Sequence, residues 1–261
     1  MDYQFINLLT HDQIAIIELN APPANTLSAA MISELRVALK HIQEETNIHA
    51  VILTGSGKFF AAGADIREFV PAMGDYDKGF AMSQAGQALC NEIEALTKPV
   101  IAAINGPALG GGLEIALGSH FRVMSEDAII GLPELKLGLL PSFGGTQRLT
   151  KITGTATALN LILTGKQIKS KEAIELGIAQ LAVPSDDLRT TALSIATSFV
   201  EGNSMESVQR VIECIVQGAN ESLTSGLQRE SEKFAELFLT EDAKEGVSAF
   251  VEKRQAQFNH R

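Results

Sequence analysis

The chain has 261 residues, of which 45% are apolar and 20% charged, enough length and enough hydrophobic content for one large core or for a main body with an appendage. Its net charge of −10 argues against broad electrostatic attraction to nucleic acid or to an anionic membrane, so an anionic ligand requires a local basic site. The two cysteines, Cys90 and Cys214, have neither disulfide-framework nor zinc-ligand spacing and read as buried free thiols, with no metal site.

In chain order, "MDYQFINLLTHDQ" carries an acid at position 2 and lacks both a basic segment and a long apolar run, so it does not read as a signal peptide. "QIAIIELN" (13–20) and "AVILTG" (50–55) read as strands, and "SAAMISELRVALKHIQEE" between them has helical spacing with Ser28 as N-cap. Strand, helix, strand is the order of a crossover unit in a layered α/β fold. The loop "PAMGDYDKGF" (71–80) gives no periodic signal; "GQALCNEIEAL" reads as a helix, "KPVIAAING" as a strand, "GLEIALG" as a helix and "HFRVMSE" as a strand. The most membrane-like window, "PVIAAINGPALGGGLEIALG", is interrupted by Asn105, Pro107, the glycines and Glu114, so a cytoplasmic protein without a membrane span is expected. Beyond about residue 185 the strand signal fades into four helical stretches, dividing the chain into an α/β body (1–185) and a helical region (186–261). Apolar stripes such as Val208, Ile212 and Ile215 require those helices to dock on the body or on another subunit.

Chemistry concentrates around the glycines of "NGPALGGGLEIALG". Bare backbone at a helix start offers N–H groups without intrahelical partners, suited to an anion or to a carbonyl oxygen that becomes negative during a reaction. A tight turn needed only for packing has the same sequence. "FFAAGADIREF" offers a second donor-rich site: Asp65 caps the following helical run and the Ala64 N–H lies near its start. Spacing does not say whether the two sites meet. Glu114 and Glu134 each sit in an apolar context that raises a carboxyl pKa and makes proton sharing near neutrality feasible, although a single such Glu is commonly a cap or a solvated residue. GxSxG, HExxH, GxxxxGK[ST] and GxGxxG are absent, and His120 reads as structural.

Taken together, "AAGADIREF", "NGPALGGGLEIALG", "LPELKLGLLPSFGGTQRL", "TGKQIKSKEAIELGIAQLAVP" and "EDAKEGVSAFVEKRQAQF" resemble the enoyl-CoA hydratase (crotonase) family over essentially the whole chain. The resemblance implies a crotonase spiral of repeated ββα units with a C-terminal helical trimerisation region, assembled as a trimer or a dimer of trimers. It implies an acyl-CoA thioester whose oxygen is held by the N–H groups of Ala64 and Gly111, with no cofactor beyond the CoA of the substrate. Glu114 and Glu134 match the two catalytic glutamates, Glu114 activating water and Glu134 managing the proton at the α-carbon. Ala62, Asp65, Ile66 and Arg67 match the CoA-binding segment, and Phe250 and Lys253 its nucleotide end, from this chain or a neighbour.

One departure from the family pattern is Ser142, where hydratases commonly have a glycine whose N–H helps hold the water; serine tolerates a positive φ poorly. Possession of both acids favours a hydratase, as in fatty-acid β-oxidation. A double-bond isomerase, a hydratase for a specialised substrate and a non-catalytic or RNA-binding relative are the alternatives.

Overall fold

The computed structural model describes residues 3–260. Strands β1 (Ile6–His11) and β2 (Ile14–Leu19) lead into α1 (Ala29–Glu44), β3 (Ala50–Gly55) and the long helix α2 (Tyr76–Ala95). Next come β4 (Val100–Ile104), β5 (Ala108–Leu109), α3 (Gly111–Gly118), β6 (Phe121–Ser125), β7 (Ile129–Gly131) and α4 (Gly145–Thr153). The chain continues through α5 (Thr155–Thr164), β8 (Ile168–Lys169), α6 (Ser170–Glu175) and β9 (Leu181–Val183). It closes with α7 (Leu188–Val200), α8 (Met205–Gly218), α9 (Leu223–Leu237) and α10 (Glu241–Glu252).

The strands form a large sheet in the order β1-β2-β3-β4-β6-β9, parallel except for the β1/β2 hairpin, and a small sheet in the order β5-β7-β8. Each turn of the chain adds to both. β4 enters the large sheet, β5 the small one, and α3 follows; β6, β7 and α4 repeat the pattern. β3 begins an earlier turn, with Ala61 bridged to Ala108 before α2. This is the spiral of ββα units that the crotonase fold predicts.

Alternate side chains leave opposite faces of the strands. Ala15, Ile17, Val51, Leu53, Ala102 and Ile104 belong to the main core with α1, α2 and α3, whereas Ile14, Ile16, Ile52, Ile101 and Val123 pack with Leu188, Ala192, Ala196 and Val200 of α7. Helix α7 therefore covers the sheet, and the packing of the body runs on past residue 185. Helices α8 to α10 are different: Val211, Ile215, Phe234, Phe238 and Val247 stay exposed and line an open apolar groove of about 960 Å³.

Ser28 caps α1 as expected, accepting from the Met31 N–H at 3.2 Å. Two readings change. Helix α2 starts at Tyr76, not near Gly86; Asp75 caps it, and its early turns expose Tyr76 and Phe80, so no core-facing stripe announces them. Helix α10 stops at Glu252 because Lys253 adopts a left-handed φ of 56°, and the chain folds back until the Asn259 and His260 N–H groups donate to Asp242. Cys90 is buried, as expected, but Cys214 is only half-buried on α8, beside charged side chains of α8 and α9 such as Glu213 and Arg229. His120 is structural, its Nδ1 accepting from the Val100 N–H and its Nε2 facing the Glu94 carbonyl.

Asn25 pins the loop that leads towards the small sheet. It is 1% exposed with φ 52°, its Oδ1 accepts from the Ala21 N–H, and its Nδ2 donates to the carbonyls of Ser56 and Phe59. Replacing it by alanine takes the Asn25 donor from the Ser56 and Phe59 carbonyls, leaves the Ala21 N–H without its acceptor and places a residue without a polar side chain at positive φ. Asn25→Ala should lose about 2–4 kcal/mol of unfolding free energy in a denaturant titration.

Candidate active site

The site begins where the small sheet meets α3. The Leu109 N–H donates to the Ala61 carbonyl at 3.0 Å, and the Gly110 N–H to the Gly131 carbonyl at 2.9 Å, which fixes the entry to the helix. A Cβ at Gly112 would overlap the Ala61 carbonyl oxygen, so only glycine permits this approach of α3 to the 61–64 segment. On the other side, Leu27 bonds in parallel fashion to the Gly63 carbonyl and the Asp65 N–H. That ladder leaves the N–H of the intervening Ala64 pointing away from Leu27. The Gly111 N–H, at the first position of α3, has no intrahelical partner. Neither N–H finds an acceptor among the described residues, and both line one cavity of about 390 Å³.

Glu114 projects from the first turn of α3 and is 2% exposed. Its Oε1 accepts from the Phe143 N–H at 2.8 Å and the Gly145 N–H at 2.7 Å. Burial raises its pKa to about 7; the two N–H groups and Arg148 oppose that rise and the Glu134 charge adds to it. Glu134 opens a short 3-10 turn, Glu134–Leu137, after Pro133. Its pKa is also raised by burial, and its buried Oε2 has no hydrogen-bond partner. Both carboxyls face the cavity that holds the two unpartnered N–H groups. The rest of its wall is largely apolar, with Phe69, Met82, Leu137, Leu139 and Leu140.

Of the residues singled out from the sequence, Ala62, Ala64, Ile66, Gly111, Glu114, Glu134 and Ser142 come together at this cavity. Asp65 is buried beside it, capping the 3-10 turn Ile66–Glu68, and its carboxylate is forked by the Arg67 guanidinium at 2.9 and 2.6 Å. Arg67 is exposed, yet its charge is already paired with an acid. Phe250 and Lys253 lie at the end of α10, outside the cavity of their own chain. Ser142 has no positive φ; Gly144 carries it, at 107°. The serine carbonyl accepts from Ser83 Oγ and Gln87 Nε2 of α2 at 2.9 and 3.0 Å.

Sequence reasoning missed the partners of Glu114. Phe143 and Gly145 act through backbone N–H groups, which no side-chain pattern encodes, and the one available signal was "GGTQRL", a second glycine-led helix start resembling "GGGLEIALG".

Residues 10–261 match the family described as Enoyl-CoA hydratase/isomerase. A Bacillus subtilis protein named "Probable enoyl-CoA hydratase" is 41% identical over 254 residues, covering 97% of this chain and 98% of that one. A Clostridium acetobutylicum protein named "Short-chain-enoyl-CoA hydratase" is 38% identical, covering 98% of each. The crystal structure of an enoyl-CoA hydratase from Bacillus anthracis superimposes with a TM-score of 0.92 at 38% identity, covering 99% of this chain and 100% of that one. The chain belongs to the enoyl-CoA hydratase/isomerase family. Its fold is the crotonase fold, and the cavity lies where that fold brings the second strands of its ββα units against the helix starts.

For this family member the raised pKa of Glu114 has a consequence for stability. The unfolded chain releases the Glu114 proton near the ordinary carboxyl value of 4.5, the folded chain only near 7, so the folded state binds more protons between them. Stability from this group is therefore full at low pH and falls as pH rises through that window, by on the order of 3 kcal/mol. Glu114→Gln keeps an oxygen for the two N–H donors and removes the titration. Its unfolding free energy relative to wild type should increase from pH 5 to pH 8, the variant gaining relative stability, as measured by denaturation at a series of pH values.

Proposed function

We propose that this protein is an enoyl-CoA hydratase, adding water across the α,β double bond of a trans-2-enoyl-CoA to give a 3-hydroxyacyl-CoA. The observation that carries the reading is the sharing of one apolar cavity by two buried carboxyls of raised pKa, Glu114 and Glu134, and two free N–H groups, Ala64 and Gly111. The thioester oxygen accepts from the two N–H groups, which are fixed before substrate arrives. As water attacks the β-carbon, negative charge moves to that oxygen. Loss of one such donor raises a barrier by about 3–4 kcal/mol, so the pair is a principal contributor to rate.

Glu114, held by Phe143 and Gly145, takes a proton from the water as its oxygen bonds to the β-carbon. Glu134, with a buried oxygen free of protein partners, gives a proton to the α-carbon. In this scheme the attacking water lies between the two carboxyls, and after the addition the proton gained by Glu114 passes through the next water to Glu134, replacing the one it gave. No metal or organic cofactor takes part in this scheme. Ser142 lines the cavity wall, and the absence of a positive φ there is compatible with serine in place of the glycine usual in hydratases.

The CoA body runs along Ala62, Asp65, Ile66 and Arg67. Phe250 and Lys253 are exposed and remote from the cavity of their own chain, which suits contact with CoA bound to a neighbouring copy. The apolar groove between α8 and α10 supports assembly as a trimer or a dimer of trimers. A cytoplasmic role in fatty-acid β-oxidation fits this chemistry and the bacterial relatives named as hydratases.

Purified protein should consume crotonyl-CoA, read as loss of the conjugated enoyl-thioester absorbance, with 3-hydroxybutyryl-CoA as product and no effect of a chelator. Migration of a double bond without uptake of water would assign the protein to the isomerases instead. Glu114→Gln and Glu134→Gln should each lower kcat by about 100-fold or more while acyl-CoA binding, measured by calorimetry, stays near wild type. Light scattering should give a multiple of three chains for the wild type, and Ile215→Asp with Phe238→Asp should shift the mass towards a single chain.

A further inference from the structure

We propose that Arg148 is a positioning residue for Glu114, fixing the turn whose N–H groups fix the carboxylate. The inference rests on the role of Glu114 as the group that activates water. Arg148 comes from α4 and is 8% exposed. Its Nη1 donates to the Phe143 carbonyl at 3.2 Å. Its Nε and Nη2 fork onto Glu94 Oε2 at 3.1 and 2.7 Å, and Nη2 also donates to Asn91 Oδ1 at 2.6 Å. Asn91 and Glu94 belong to α2, so the guanidinium ties the 142–145 turn to a long helix on the far side of the site. The same Phe143 whose carbonyl Arg148 holds turns its N–H to Glu114.

A clip between helices is a weak reason for burying the Arg148 guanidinium against a partly exposed Glu94, because desolvation offsets much of the attraction between the charges. A geometric task gives the pair a reason. Removing the guanidinium leaves the Phe143 carbonyl and Glu94 without it and frees the Phe143–Gly144 peptide, which lies between the Phe143 and Gly145 N–H donors, to turn and carry both donors with it. Arg148 does not touch Glu114, but its positive charge favours the ionised carboxylate. The titratable and charged groups around Glu114 are Glu134 from the 3-10 turn, Arg148 from α4, and Cys90 and Glu94 from α2. Arg148 is the cation among them.

Three variants of the full-length protein test this with crotonyl-CoA. Arg148→Gln removes both fork and charge, Arg148→Lys keeps the charge, and Glu94→Gln keeps Arg148 but loosens its anchor. We expect kcat to fall about tenfold or more in Arg148→Gln and Glu94→Gln with KM changed by less than about twofold, since neither residue lines the cavity. The acidic limb of kcat/KM should move to higher pH in Arg148→Gln and return towards wild type in Arg148→Lys, whose kcat stays low. A lower melting temperature with wild-type kcat and an unmoved limb would reduce Arg148 to a clip between α2 and α4 and overturn the proposal. The Glu114 ionisation is also read without turnover, by carbon-13 NMR of carboxyl-labelled glutamate assigned with Glu114→Gln. If wild-type protein hydrates no enoyl-CoA, the functional reading fails while this titration still decides the positioning: an upward shift in Arg148→Gln supports it, and an unmoved Glu114 overturns it.

Discussion

The contact on which the site depends is the approach of the α3 backbone to the 61–64 segment. Gly112 permits it by lacking a Cβ where the Ala61 carbonyl oxygen sits. Everything catalytic in the proposed scheme is referenced to that contact. It brings Gly111, at the start of α3, and Ala64 to the wall of one cavity, and it fixes the rotation of the helix, which decides that Glu114 faces that cavity. The glycines are therefore useful less for flexibility than for thinness. They bring two backbones closer than side chains would allow, and a donor pair made of backbone does not rearrange when charge develops on a substrate oxygen.

Glu114 shows how opposing electrostatic influences leave a carboxyl usable at neutral pH. Burial and the nearby Glu134 favour the protonated form. Two N–H donors favour the ionised form, each charge-assisted bond being worth about 1.5–3 kcal/mol. Burial wins, but by a margin that leaves the pKa at about 7, with both forms populated near neutral pH. Without the donors the carboxyl would stay neutral and be no base; in open solvent it would be ionised and a weak one. The partial cancellation matters more than either influence.

How much of this was legible in the sequence depends on the kind of signal. β2 and β3 were legible from their apolar runs, α1 from its period and its Ser28 cap, and the glycine-led start of α3 from composition alone. β1 was not, because its outer residues alternate weakly on an exposed edge. The first half of α2 was not, because it faces the cavity and solvent, where no stripe forms. The acids and donor glycines stood out, but Ala64 and Gly111 become a pair only through Leu27, Ala61 and Ala108, residues far apart in sequence and bland in chemistry. Phe143 and Gly145 contribute N–H groups, which every residue except proline has, so nothing in their identity marks them. Arg148 was visible within "GGTQRL", yet its partners lie on α2, more than one turn of the spiral away.

Helix α2 also explains why Ser142 is accommodated where hydratases usually have glycine. A serine there would be costly if the turn needed a left-handed residue at that position, but the turn takes its left-handed φ at Gly144. The Ser142 carbonyl is held from outside by Ser83 and Gln87, the Phe143 ring packs against Gly86, and the Phe143 carbonyl is held through Arg148 by Asn91 and Glu94. These contacts fall on one side of α2, from residue 83 to residue 94, so a single helix braces the turn along its whole length. With the Ser142 carbonyl fixed on the α2 side, the Phe143 N–H of the same peptide is left to face Glu114, and the Gly144 carbonyl, which accepts from Gln147 and Arg148 as α4 begins, leaves the Gly145 N–H to do the same. A change of side chain at position 142 then alters the wall of the cavity without releasing the donors that hold the carboxylate.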